Sequence, residues 1–265
     1  ELAVALLRHF RLGGGSERAR RYVAPAIRHL EALYRHDLAA DLAARALAVH
    51  GLLEGEERID ALLAQSWRLD HLGRRKEELA AIQEAATLAD DLGDAHRRLL
   101  ADKALGSYLW RVGEVERGIQ VISEAAEQAA AAGDRHEEAA LRGNLGTLLW
   151  SYGDYEAAIV AHEQALAMAQ EIGAWSIEAN AFGGLGNALW ALGRHAEGIE
   201  AQRKWLALAK EHGERVGEAM AEGNLGGTLR YLGHREEARA HIERSLELAR
   251  EIGQPTVATN ATVSL

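Results

Sequence analysis

Glycine recurs at a fixed interval along this chain, in two interleaved series that each step by 40 residues. One series is Gly73, Gly113, Gly153, Gly193 and Gly233, and the other is Gly93, Gly133, Gly173, Gly213 and Gly253. A period between about 20 and 50 residues is typical of a solenoid, in which each unit buries its apolar face against its neighbours. The chain is therefore predicted to be a repeat protein with an extended surface rather than a single catalytic pocket.

Composition favours helix throughout the chain. Hydrophobic residues make up 48% of the sequence, aromatic residues only 5%, and there are two prolines in 265 residues. Alanine and leucine, which are strong helix formers, dominate over the β-branched and aromatic residues that favour strands. An all-α fold is expected.

Charge and cysteine content limit the classes of binding partner and the cellular compartment that are expected for this chain. The formal net charge is −10 without a long basic block, so neither nucleic acid nor an anionic membrane is expected as the main partner. No apolar run approaches the ~20 residues of a membrane-spanning helix. The absence of cysteine fits a reducing compartment. We therefore predict a cytoplasmic location.

One repeat can be followed through residues 142–174, RGNLGTLLWSYGDYEAAIVAHEQALAMAQEIGA. A first helix is predicted to end near Trp150, Asp154 is placed to cap a second helix, and Gly173 terminates that helix after Ile172. Each unit is thus a helical hairpin. The hairpins are expected to begin near residues 58, 98, 138, 178 and 218.

The order of residues within the repeat resembles the tetratricopeptide repeat in a form of about 40 residues. The resemblance rests on Leu145, Gly146, Leu149, Gly153, Ala158, Ala165 and Leu166, and on the segments LGSYLWRVGEVERGI, LGTLLWSYGDYEAAI, LGNALWALGRHAEGI and LGGTLRYLGHREEAR, which align without a gap. An earlier unit departs by placing Ser66 where the others have glycine, and the proline that closes shorter family repeats is absent. The resemblance implies a right-handed superhelical solenoid of antiparallel helical hairpins.

Three regions are expected. Residues 1–55 form degenerate helical repeats with a break at residues 13–15 and a helix cap at Ser16, residues 56–254 form the regular array, and residues 255–265 form a truncated first helix. The first region resembles the start of repeat arrays in bacterial signal-transduction (STAND-type) ATPases and kinase-linked regulators. That resemblance implies an effector domain before Glu1 in a longer bacterial regulatory protein.

No constellation of residues indicates catalysis. The Gly13–Gly14–Gly15–Ser16 turn lacks the lysine and the preceding strand of a phosphate-binding loop. The 12 histidines include no HExxH pair, and no serine has a nucleophile-elbow context. We predict that the chain is not an enzyme and binds neither a metal nor a cofactor.

A series of tryptophans marks the candidate binding site. Trp110, Trp150 and Trp190 recur every 40 residues. In tetratricopeptide repeats the first helices line a concave groove, so the resemblance implies groove-facing positions at fixed offsets from the repeat glycine. The candidate binding residues are Trp67, Lys103, Ser107, Trp110, Asn144, Thr147, Trp150, Asn180, Asn187, Trp190, Asn224 and Arg230. Glycines at 143, 183 and 223 leave room either for an approaching ligand backbone or for close helix packing.

Several functions fit this pattern. The first is recognition of a protein or peptide segment, with indoles as apolar anchors and asparagines pairing with peptide groups. The second is sensing of a small-molecule inducer such as a sugar, and the third is a structural spacer or self-association scaffold. Alternatively, each tryptophan packs between neighbouring first helices and meets no ligand.

One unit breaks the repeat pattern. Trp205 stands where other units have Ala85, Ala125, Ala165 and Ser245. A side chain of this size at a close helix crossing needs space. We expect Trp205 to fill volume vacated by Gly183, Gly184, Gly186 and Gly198.

Overall fold

The computed structural model describes residues 16–32 and 35–252, and this part of the chain contains helices and no strand. The helices are α1 (Ser16–Ala32), α2 (His36–Leu47), α3 (Gly55–His71), α4 (Arg75–Leu92), α5 (Ala95–Arg111), α6 (Val115–Ala132), α7 (Arg135–Tyr152), α8 (Tyr155–Ile172), α9 (Trp175–Ala191), α10 (His195–Glu211), α11 (Arg215–Tyr231) and α12 (Arg235–Glu251). The expected break at residues 13–15 and the truncated helix at 255–265 lie outside the described residues.

The 40-residue period is a period of helical hairpins. The first helices α3, α5, α7, α9 and α11 begin at residues 55, 95, 135, 175 and 215, which is three residues before each predicted start. A second helix follows each of them after a turn of about three residues. The predicted all-α solenoid of helical repeats is confirmed.

The chain divides into two compact units, residues 1–121 and residues 122–265, and the division falls within α6. In unit 1, each helix from α1 to α5 contacts the next one along the chain. In unit 2, the same holds from α7 to α12, and the first helices α7 and α9 also contact each other. Each unit therefore presents neighbouring first helices on its own surface.

The turn between α7 and α8 shows why glycine recurs. Gly153 has a φ of 99°, in the left-handed region that costs residues with a Cβ about 1 to 2 kcal/mol. The Asp154 carboxylate then accepts a hydrogen bond from the backbone N–H of Ala157 at 3.1 Å, which confirms its predicted capping role. Gly173 ends α8 with a φ of 67°, as expected.

The glycines at 143, 183 and 223 face the second helix of their own hairpin rather than an approaching ligand. A Cβ on Gly183 would lie 3.0 Å from the Trp205 ring, and one on Gly223 would lie 3.1 Å from the Ser245 hydroxyl oxygen. A Cβ on Gly143 would meet the Ala165 methyl group at an ordinary 3.8 Å. Close packing within the hairpin explains two of the three glycines, so the interpretation as ligand space is wrong for those two.

The same substitution at two of these positions is expected to have opposite effects. Gly143→Ala should raise the free energy of unfolding by ~0.5 to 1 kcal/mol, because it removes a helix-interior glycine without a clash. Gly183→Ala should lower it by ~1 to 3 kcal/mol, because its Cβ would press on the Trp205 indole. Urea denaturation of both variants measures the difference, and two shifts of the same sign would contradict this packing.

Trp205 is buried, with 7% of its surface exposed, and belongs to the apolar core of unit 2 with Phe182 and Leu206. It packs against Gly183, as expected, and its indole nitrogen would lie 3.3 Å from a Cβ on Gly217.

The other three glycines that were expected to make room for Trp205 lie against different residues. Gly184 accommodates His162, Gly186 accommodates Gln202, and Gly198 faces the backbone oxygen of Gly186. The expectation that all four make room for Trp205 is therefore wrong for these three.

His162 is an unusual core residue of unit 2. It stands on α8 at the repeat position that holds Ile82, Ile122 and Ile242 in other units, and only 2% of its surface is exposed. A Cβ on Gly146 would lie 2.7 Å from its ring and a Cβ on Gly184 2.2 Å, so both glycines are needed for the imidazole to fit. Neither ring nitrogen has a hydrogen-bond partner among the residues that the structure describes. Burial lowers the pKa of His162 from 6.5 to about 4, and the ring is neutral at pH 7.

Candidate binding surface of the first helices

The candidate tryptophans all lie near the carboxyl ends of first helices, and all remain accessible. The exposed fraction is 52% for Trp67, 38% for Trp110, 38% for Trp150 and 41% for Trp190. Trp67 and Trp110 belong to unit 1, and Trp150 and Trp190 belong to unit 2. Because none of the four is enclosed between neighbouring helices, their rings are available to a ligand.

Within unit 2, the exposed side chains of α9 and α11 contact one another directly. The Asn224 side-chain amide donates a hydrogen bond to the Asn187 side-chain oxygen at 3.3 Å. The Trp190 ring meets the Tyr231 ring edge-on, with centroids 5.8 Å apart. We use the name unit-2 surface for eight exposed or half-buried residues of α7, α9 and α11: Asn144, Thr147, Trp150, Asn187, Trp190, Asn224, Arg230 and Tyr231.

The amide groups of this surface retain hydrogen-bonding capacity. The Asn187–Asn224 bond uses one of the two N–H groups of Asn224 and one lone pair of Asn187, so the remaining donors and acceptors are open. The side-chain amide of Asn144 has no hydrogen-bond partner among the described residues. The Thr147 hydroxyl donates to the backbone oxygen of Gly143 at 3.3 Å, and it is therefore less available to a ligand.

The unpaired charge of this surface is positive. On α11, Glu222 accepts from Lys210 at 2.9 Å and from His241 at 2.5 Å. Glu218 lies 3.4 Å from both Arg215 and Arg244. Arg230 is exposed and forms no ion pair with any described residue. A ligand that approaches α11 therefore meets one free guanidinium group.

In unit 1, the candidate residues are Trp67, Lys103, Ser107 and Trp110. The Trp67 ring lies against His71, with centroids 4.1 Å apart. The Ser107 hydroxyl donates to the backbone oxygen of Lys103 at 3.0 Å. These residues lie on α3 and α5, which contact each other, and the indoles of Trp67 and Trp110 are their exposed parts.

The unit-2 surface differs in two residues from the candidate binding residues that the sequence indicated in the same unit. Asn180 is exposed on α9 but lies about two helical turns before Asn187, away from the contacts that join α9 to α11. Tyr231 was missed, although 68% of its surface is exposed and its ring contacts both Trp190 and His195. No tyrosine recurs at its place in neighbouring repeats, so the 40-residue spacing could not indicate it.

Metal and membrane sites are not found in the described part of the chain. Among its histidine and carboxylate side chains, no group of three or more is arranged to hold a metal ion. Within residues 16–32 and 35–252, no helix combines the length and apolar character that a bilayer crossing requires.

Comparisons with known proteins agree with this architecture. A family profile described as "Tetratricopeptide repeat" matches residues 97–171 and 177–251, which together cover more than half of the chain. No curated protein is significantly similar to the chain in sequence.

Solved structures with a similar fold include three proteins of different kinds. BtubC (BKLC) from P. vanneervenii is 16% identical, with a TM-score of 0.63 over 90% of this chain and 92% of its own. A Rap protein complexed with competence and sporulation factor is 16% identical, with a TM-score of 0.68 over 93% of this chain and 73% of its own.

The third is a signal transduction ATPase with numerous domains (STAND) from Pyrococcus horikoshii, which has a tetratricopeptide repeat sensor. It is 12% identical, with a TM-score of 0.64, and the match covers 99% of this chain but 45% of that protein. At these identities the likeness concerns the fold. With the family profile matched over most of the regular hairpins, the chain belongs to the tetratricopeptide repeat family.

Proposed function

We propose that the unit-2 surface binds an extended peptide segment of a protein partner. The observation that carries this proposal is the pair of exposed indoles, Trp150 and Trp190, beside the hydrogen-bonded amides of Asn187 and Asn224. Accessible tryptophans are typical anchors of binding interfaces, because they combine a large apolar area with few rotatable bonds. Binding rather than catalysis is the role that this surface supports.

Each group on the surface has a distinct task in this proposal. Trp150 and Trp190 contact apolar side chains of the segment. Asn144, Asn187 and Asn224 pair with its backbone N–H and C=O groups, which an extended segment leaves without partners. Arg230 selects an acidic residue near the end of the segment that passes α11.

The structural neighbours support this class of function. The Rap protein was solved with a competence and sporulation factor, and the STAND protein carries its repeats as a sensor. By analogy, we propose that this array, residues 56–254, serves as the interaction or sensor region of a bacterial regulatory protein. Lys103, Ser107 and Trp110 of unit 1 are proposed as further contacts, together with Trp67.

The test is a peptide selection followed by affinity measurements. Peptides are selected from a random display library on the purified chain, and their affinities are measured by fluorescence anisotropy. Trp190→Ala is expected to weaken the selected peptides by about 30-fold, which corresponds to ~2 kcal/mol for an interface anchor. Arg230→Gln is expected to weaken those peptides that carry an acidic residue.

The matched control is Val160→Ala, since Val160 is a 52% exposed apolar residue on the second helix α8. It should leave affinity unchanged. Equal losses in Trp190→Ala and Val160→Ala, or a selection that yields no peptide sensitive to Trp190, would contradict the proposal.

A further inference from the structure

Unit 1 contains a cavity that the tryptophan pattern does not predict. Its volume is about 510 Å³, and it is lined by residues of α1, α3, the end of the α2–α3 connection and one residue of α2. Small-molecule sites in proteins have volumes of about 300 to 1,000 Å³, so this cavity has the size of a ligand site. It lies in a different unit from the proposed peptide surface.

The cavity is lined in part by apolar side chains, several of which are small. Val23, Ile27 and Leu53 are buried members of the α1–α2 core and form the floor. Helix α3 also lines the cavity, with Ala61 and Ala64, whose side chains end at Cβ. A ligand in this space would contact these apolar side chains and would cover Ala64, which is exposed to solvent.

The carboxylates at the rim are already paired. Arg20 donates to Glu57 at 2.5 Å and joins α1 to α3. Arg97 donates to both oxygens of Asp60 at 2.8 and 3.0 Å. These carboxylates therefore do not need a ligand to balance their charge.

Two arginines at the same rim have no ion-pair partner among the described residues. Arg21 and Arg28 lie on α1, are exposed and form no ion pair with any described residue. Arg68 on α3 lines the cavity as well and is only 9% exposed, which is uncommon for arginine. The local charge is therefore positive, in a protein whose formal net charge is −10.

We propose that this cavity binds a small organic anion with an apolar body, such as a medium-chain carboxylate. The apolar body fills the space over Val23, Ile27 and Leu53, and the anionic head accepts hydrogen bonds from Arg21 and Arg28. Guanidinium groups suit this task because they pair with carboxylates in a planar, bidentate geometry. The site belongs to a different unit from the unit-2 surface and would give the array a second, small-molecule input.

The experiment compares octanoate with its neutral analogue octanamide by isothermal titration calorimetry on the full chain. Octanoate is expected to bind at least about tenfold more tightly than octanamide, because charge-assisted hydrogen bonds are stronger than neutral ones. The double variant Arg21→Gln/Arg28→Gln should remove this preference. Arg45→Gln, an exposed arginine of α2 outside the cavity, is the matched control and should preserve it.

A second variant tests the cavity itself. Ala64→Trp should fill the space and abolish octanoate binding, while circular dichroism shows an unchanged helical signal. Trp190→Ala should leave octanoate binding intact, so failure of the peptide proposal and failure of this one are distinguishable. Absence of octanoate binding at millimolar concentration, equal binding of octanamide, or an equal loss in Arg45→Gln would overturn the proposal.

Discussion

Trp205→Ala is expected to lower the free energy of unfolding by about 3 to 5 kcal/mol, the range for removal of a large buried aromatic side chain. The indole is 7% exposed and lies between α9, where it faces Gly183, and α11, where it faces Gly217. Neither glycine has a side chain that could move into the vacated space. The variant would therefore keep most of the cavity and lose the contacts that join α10 to both first helices.

The comparison is with Trp190→Ala, the same substitution at an indole that is 41% exposed. It is expected to cost less than ~1 kcal/mol, because the ring leaves little buried space behind. Equilibrium urea denaturation followed by circular dichroism measures both variants. A loss below ~1 kcal/mol for Trp205→Ala would show that the packing around Trp205 collapses without penalty, contrary to this account.

Unit 2 is expected to lose stability as the pH falls from about 6.5 to about 4, because of His162. Burial lowers the pKa of its ring to about 4 in the folded protein, against 6.5 for the ordinary group. Between these two pH values the unfolded chain binds a proton that the folded chain does not, so the free energy of unfolding decreases with falling pH. The full effect is about 3 kcal/mol, at 1.36 kcal/mol per unit of pKa difference.

His162→Ile isolates this contribution from the carboxylates that titrate in the same range. Isoleucine occupies the equivalent position in three other units, at residues 82, 122 and 242, so the variant is expected to fold. It also removes two buried nitrogens that have no hydrogen-bond partner within the described part of the chain. Urea denaturation at pH 7, 5.5 and 4.5 measures the free energy of unfolding of both proteins. The value for the variant minus the value for the wild type should increase as the pH falls. Parallel pH profiles would contradict the assignment.

The hairpins could be predicted from the sequence because the signals that define them are local. Left-handed glycines such as Gly153 and Gly173 recur at the helix ends, and the two-helix pattern between them is set by the apolar spacing. The helix starts were placed three residues late. Asp94 and Asp134 cap α5 and α7 from positions directly before Ala95 and Arg135, and this capping signal fixes the starts more accurately than the apolar stripe does.

The proposed binding surface was predictable only in part. The repeat offsets identified residues that are accessible, including Trp150, Trp190 and Arg230, because side chains on one helix face recur with the repeat. The same offsets could not explain why positions 183 and 184 are glycine. It depends on Trp205 and His162, which reach them from other helices.

The cavity between α1 and α3 could not be predicted from the sequence either. It depends on how far apart the two helices pack, and no repeat spacing covers the first of them. Tyr231 was missed for a related reason, since its contacts with Trp190 and His195 join three different helices. Tertiary contacts of this kind follow from packing rather than from a local pattern.

The most direct test of the proposed peptide surface is a ¹H–¹⁵N NMR titration that follows the indole N–H signals of the six tryptophans while a selected peptide is added. The signals of Trp150 and Trp190 are expected to shift with the peptide concentration, and the signal of the buried Trp205 is expected to stay in place. A titration in which Trp150 and Trp190 remain unshifted at saturation would contradict the assignment of the unit-2 surface as the binding site.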